Sequence, residues 1–197
     1  MTLYLSMAAF ALASSISPGP VNIVALGAGA RHGLAASVRH VSGATLGFTL
    51  LLLLTGLGLY EALERWPQLV GLVRWAGIGF LLYLAWKLAA DNGELPLDTE
   101  GAAAGPSLLT GAAMQWLNPK AWLAAVSGMG AFAADGDTRI VWEFAAIYFV
   151  VCWLSIFCWA WAGAALRGYL SDPARMRVFN RAMALLLAVS AAWLLMG

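Results

Sequence analysis

The sequence predicts an all-α integral membrane protein. Its six transmembrane helices form two inverted-topology three-helix repeats, with the first and fourth helices broken at proline. Three observations predict it. Of 197 residues, 62% are hydrophobic and 11% charged, and the mean hydropathy is +0.79; a soluble domain carries about 25% charged residues. Six segments, 2–27, 38–60, 69–89, 108–132, 141–165 and 178–197, are long and apolar enough to span, since crossing a core of about 30 Å takes about 20 apolar residues. The first and fourth segments are interrupted by proline at matching places in the two halves, the sequence pointer to a binding site in transporters built from inverted repeats.

The first segment holds Ser17-Pro18-Gly19-Pro20-Val21-Asn22. A proline inside a helix lacks an amide donor and clashes with the carbonyl four residues back, at about 3 kcal/mol or more. Carbonyls freed in hydrocarbon are tolerated only where protein or a wet cavity covers them. Residues 1–10 contain no Lys or Arg, and apolar character continues past Ala11-Leu12-Ala13. A cleaved signal peptide is therefore not expected.

The second segment carries Gly43, Thr45, Gly47 and Thr49, a small-residue face suited to close helix approach. Packing within the chain is the favoured use of that face, ahead of dimerisation. Tryptophans at segment ends, among them Trp66, Trp75, Trp86 and Trp142, suit interfacial anchoring. The longest connection, 90–107, contains Asp91, Asn92, Gly93, Glu94, Pro96, Asp98, Glu100 and Pro106. It reads as an acidic, mobile linker between a first repeat at 1–89 and a second at 108–197, within one membrane domain.

In the fourth segment Asn118-Pro119-Lys120 forms the second break, beside Gln115 and Ser127. Lys120 is the one charge placed deep in a span, where insertion costs about 2.5–3.5 kcal/mol. Something should offset that cost: a substrate carboxylate, the role of a bound cation, or carbonyls freed by a break. The fifth segment holds Cys152 and Cys158, whose spacing is neither a redox pair nor a metal motif; both read as small core- or lipid-facing residues. His32 and His40 flank the first basic connection with no nearby Cys or acid and read as surface residues.

Lys and Arg counts set the orientation. The connections after the first, third and fifth segments carry Arg31, Arg39, Lys87, Arg167, Arg175, Arg177 and Arg181, against Arg65, Arg74 and Arg139 opposite. The richer side is cytoplasmic by the positive-inside rule, which places both termini outside. A formal net charge of +1 argues against nucleic acid as a partner.

At midspan the two breaks offer half-helix amide ends, which suit a carboxylate, and free carbonyls, which suit an ammonium group. A zwitterionic amino acid matches both. The candidate substrate-binding residues are Ser17, Pro18, Gly19, Pro20 and Asn22 in the first break, and Gln115, Asn118, Pro119 and Lys120 in the second. No carboxylate lies deep in any span, so proton coupling has no evident acid. No metal site and no cofactor is expected.

These motifs resemble a known family. Ser17-Pro18-Gly19-Pro20 with Gly33, Gly43 and Gly47 is similar to the opening signature of the LysE/RhtB-type amino-acid exporters. Val73-Arg74-Trp75-Ala76-Gly77 with Tyr83-Leu84, Leu117-Asn118-Pro119-Lys120-Ala121, and Asn180-Arg181 resemble its third, fourth and last spans. The resemblance covers nearly the whole chain. It implies a six-span secondary transporter, not an enzyme, that exports amino acids or close derivatives across a bacterial inner membrane. It also implies drive by the proton-motive force, and it allows a homodimer. Two departures bear on substrate and coupling: Phe48-Thr49-Leu50 stands where relatives tend to carry a histidine, and Ala184 and Ala191-Ala192 replace usual glycines.

Neutral substrates are favoured, because no acid lines the spans. A heavy-metal or cation transporter would need Asp, Glu, Cys or His ligands at the breaks, and a thiol oxidoreductase would need cysteines there. Neither break has them. A non-transporting membrane scaffold is the remaining alternative; it would tolerate substitution of Lys120 and of both breaks.

Overall fold

A computed structural model describes residues 2–59, 67–93, 105–134 and 137–196. Among them the chain is wholly helical, with seven α-helices: α1 (Thr2–Ile16), α2 (Pro20–Leu54), α3 (Pro67–Ala89), α4 (Leu108–Trp116), α5 (Pro119–Phe132), α6 (Thr138–Leu166) and α7 (Pro173–Met196). A π-helical turn, Thr55–Leu59, extends α2, and a 3-10 turn, Tyr169–Ser171, precedes α7. Pro20–Leu59 and Thr138–Leu166 are long and apolar enough to cross a membrane.

Both expected interruptions are present. Ser17–Gly19 separates α1 from α2, and Leu117–Asn118 separates α4 from α5. Each new helix begins with proline, whose fixed φ and missing amide suit a first helical position. Asn118 caps α5, its side chain accepting from the Lys120 amide at 3.2 Å. Asp172 caps α7 in the same manner, accepting from the amides of Ala174 at 2.7 Å and Arg175 at 3.1 Å.

The connection expected at 28–37 is helical on both sides of Gly33 instead. Gly33 alone adopts φ 80°, ψ 172°, a conformation open to glycine because it lacks Cβ. The chain reverses there. His40 Nε2 lies 3.4 Å from the Val21 carbonyl oxygen, whereas a straight helix would hold those residues about 28 Å apart. Ser37 Oγ donates to the Gly33 carbonyl at 2.8 Å, so the turn leaves that acceptor paired.

Cross-helix contacts fix the directions. Tyr4 OH donates to Glu143 and Trp159 Nε1 to the Ile16 carbonyl, so α1 and α6 run parallel. Trp153 Nε1 reaches Ser42 Oγ, and Phe48 stacks on Tyr148, so the later part of α2 runs antiparallel to α6. Arg74 donates to the Leu195 carbonyl and Asn180 to Asp91, which makes α3 and α7 antiparallel. The small face of α2 packs within the chain. A Cβ on Gly43 would lie 2.0 Å from the Leu108 carbonyl oxygen, and one on Gly47 would lie 2.7 Å from the Ala112 Cα.

The main core joins α1, α2, α4, α5 and α6 through Met7, Val41, Leu51, Met114, Ala125, Phe144 and Tyr148. A second cluster, Ile78, Leu81, Leu187 and Ala191, zips α3 to α7 and meets α2 at Ile23. The outward faces are apolar too: Leu5, Leu72, Trp86, Leu109 and Val178 are all at least 65% exposed. A water-facing surface with such contiguous apolar area would aggregate; a lipid-facing one is stabilised by it.

Candidate functional site

The two breaks, far apart in sequence, meet. From α5 the Lys120 ammonium crosses to the first break, donating to the Ser17 carbonyl at 2.7 Å, Ser17 Oγ at 2.8 Å and the Pro18 carbonyl at 3.3 Å. These acceptors lie where proline has interrupted the helix ladder. Charge-assisted bonds of this kind are about twice as strong as neutral ones.

Asn22 holds the first break from inside. Its Nδ2 donates to the carbonyls of Ser15 at 2.9 Å and Ser17 at 2.8 Å, so one buried amide satisfies two carbonyls that α1 leaves open. Asn118 holds the second. Its oxygen caps α5, and its Nδ2 lies 3.5 Å from Gln115 Oε1. Asn22, Gln115 and Asn118 are each buried to about 95%, which polar side chains tolerate only when paired.

A cavity of about 40 Å³ lies between the breaks. Ser14, Ser15, Gly19 and Asn22 line it on one side, and Gln115, Asn118 and Lys120 on the other. It has room for about one water, well short of the roughly 150 Å³ that admits benzene. Among the described residues its lining contains no Asp or Glu, and one positive charge. Ser15 Oγ is buried there with no hydrogen bond to a partner within 3.5 Å among the described residues.

Of the sequence-derived candidates, Gly19, Asn22, Gln115, Asn118 and Lys120 line the cavity. Ser17 and the Pro18 carbonyl touch it through Lys120. Pro20 and Pro119 open their helices just behind. Gly19 leaves space for the ammonium: a Cβ there would sit 3.3 Å from Lys120 Nζ. Ser127 is exposed and takes no part.

Two readings of individual residues need correction. His40 is fully buried in α2 rather than at the surface, because reversal at Gly33 brings it against the first turn of the same helix. The start of the linker is pinned rather than loose: Asp91 pairs with Arg31 and accepts from Asn180. Residues 94–104 of the linker lie outside the described residues.

The family profile of the LysE type translocators matches residues 12–197. The chain belongs to this family. It is similar to the cysteine/O-acetylserine efflux proteins of Escherichia coli O9:H4 (strain HS), Escherichia coli (strain K12) and Shigella flexneri serotype 5b (strain 8401). Each is 30% identical over 186 residues, which cover 92% of this chain and 92% of the relative. No solved structure matches the chain.

The remaining walls of this LysE-type translocator's cavity, Val21, Phe48, Ala121, Tyr148, Cys152 and Ile156, are mostly apolar and escaped the sequence reading. Three of them come from α6, which contains no break. Phe48 lies in the stretch Phe48-Thr49-Leu50 singled out in the sequence as a departure from the expected pattern, and its ring packs 4.4 Å from that of Tyr148.

Proposed function

We propose that this LysE-type translocator exports small neutral amino acids or their close derivatives by alternating access, with the substrate bound between the two proline breaks. The observation that carries the reading is the Lys120 ammonium on the Ser17 and Pro18 carbonyls. It occupies the place that a substrate ammonium would take. A substrate carboxylate draws Lys120 towards itself, and the released carbonyls accept the substrate's own ammonium. The acid-free lining suits a neutral zwitterion, and the efflux relatives named for cysteine and O-acetylserine point to small polar side chains. A space of about 40 Å³ is smaller than an amino acid, so binding in this reading requires the halves to part.

The topology proposed with this reading has six spans. Residues 2–32 and 34–59 form the first two, on either side of Gly33, and α3, α4 with α5, α6 and α7 supply the other four. The parallel α1 and α6 and the antiparallel pairs α2–α6 and α3–α7 support this reading. Residues 1–89 and 108–197 are then inverted repeats, with the broken α1–α2 segment corresponding to α4–α5. Arg31, Lys87, Arg167, Arg175, Arg177 and Arg181 fall at one end, the cytoplasmic end of an inner-membrane protein, and both termini face outward. Proton-motive force is the drive that the family resemblance implies.

The test is efflux of an amino-acid panel from preloaded cells, with and without the protein, beside Lys120→Ala at matched abundance. Faster efflux of one chemical group, lost in the variant, supports the proposal. No effect on any amino acid or close derivative contradicts the proposal and turns the search to other small metabolites.

A further inference from the structure

Residues 20–32 form a helical piece bounded by the first break and by Gly33, about 18 Å long at 1.5 Å per residue. One end carries Asn22, bonded to the Ser15 and Ser17 carbonyls in the site. The other carries Arg31, whose guanidinium is paired with one oxygen of Asp91. The second oxygen of Asp91 accepts from the Gly93 amide at 2.8 Å and from Asn180 Nδ2 at 3.1 Å. Arg177, also on α7, donates to the Asn92 carbonyl at 3.1 Å. A single carboxylate thus ties the far end of this piece to the end of α3 and to α7, which belongs to the second half of the chain.

The pair differs from the other ion pair among the described residues. Arg31 and Asp91 are 25% and 18% exposed, whereas Arg139, paired with Glu143 one helical turn away, is 78% exposed. A partly shielded pair is costly to break when either charge is left buried and unpaired. Its separation therefore requires water to hydrate both charges, which distinguishes a paired from an open, hydrated state.

We propose that Arg31, Asp91 and Asn180 form the cytoplasmic gate of the transport cycle, with residues 20–32 as the lever that joins it to the substrate site. Parting of the breaks around a substrate shifts Asn22. The rigid helical piece carries that shift to Arg31, and the gate opens as the pair hydrates. The proposal rests on the alternating-access reading above, and it assigns roles to residues remote from the cavity. All three are positioning residues, since none touches substrate.

The test uses inverted membrane vesicles containing the full-length protein with Arg31→Cys and Asp91→Cys in a Cys158→Ser background. A bifunctional methanethiosulfonate, cleavable by dithiothreitol, bridges the pair. Uptake of labelled neutral amino acids and O-acetylserine is the readout. Uptake that falls at least tenfold on bridging and returns with dithiothreitol supports the gate. Undiminished uptake with the bridge complete overturns it. If the unbridged variant is inactive, Arg31→Asp with Asp91→Arg decides: recovery of uptake lost in each single variant supports the gate, and single variants that match wild type overturn it, as does a normally abundant swap that stays inactive. Wild-type vesicles that take up no member of the panel remove the exporter reading, and the gate falls with it. Wild-type uptake alongside an indifferent bridge removes the gate alone.

Discussion

The ammonium of Lys120 lies 2.7 Å from the carbonyl oxygen of Ser17, 103 residues earlier in the chain. This bond joins the two places where proline breaks a helix, so it couples the halves of the molecule at the point where each has backbone groups to spare. Among the described residues Lys120 has no carboxylate partner in the cavity. Its charge is held by dipoles, which a substrate can replace.

Lys120→Ala is therefore expected to lower efflux per molecule by about 10- to 100-fold, the equivalent of one lost charged hydrogen bond of about 1.5–3 kcal/mol. Membrane abundance should change little, because Asn22 continues to hold the Ser15 and Ser17 carbonyls. Quantitative blotting beside the efflux assay checks both parts. Unchanged efflux at matched abundance would make Lys120 a packing residue.

Replacing Pro18 and Pro20 together by Ala removes the barrier of about 3 kcal/mol or more that each proline sets against a continuous helix. The carbonyls of Ser17 and Pro18 then enter ordinary helix bonds and leave Lys120 without acceptors. Transport should be abolished while the protein still inserts. Normal efflux from this variant would remove the broken helix from the mechanism.

Gly43→Ala sets a Cβ 2.0 Å from the Leu108 carbonyl oxygen, and overpacking against backbone costs about 1–3 kcal/mol. That exceeds the helix-propensity gain of up to about 1 kcal/mol, so the melting temperature in detergent should fall. Gly27→Ala, with nothing within 4 Å of the added atom, should match or exceed wild type. Equal melting temperatures for the two variants would contradict the close approach of α2 and α4.

Both breaks were legible from sequence because proline and glycine act locally: Ser17–Gly19 and Leu117–Asn118 interrupt their helices where the residues demand it. The turn at Gly33 was not. Its neighbours are good helix formers, and nothing local distinguishes one glycine at positive φ from a ten-residue connection. His40 was misplaced in consequence, its burial being decided by a reversal seven residues away. Tyr148, Cys152 and Ile156 carry no local mark of a cavity wall. They become one only when α2 and α6 pack, which is tertiary information.

Counterflow with purified protein in liposomes tests the central claim most directly, because nothing else in the assay recognises an amino acid. Liposomes are loaded with unlabelled O-acetylserine or a small neutral amino acid, diluted into the labelled compound, and compared with liposomes bearing Lys120→Ala. Transient accumulation of label with wild type, and its loss in the variant, is the predicted result. Accumulation of equal size with both would contradict a substrate site built around Lys120 and the two breaks.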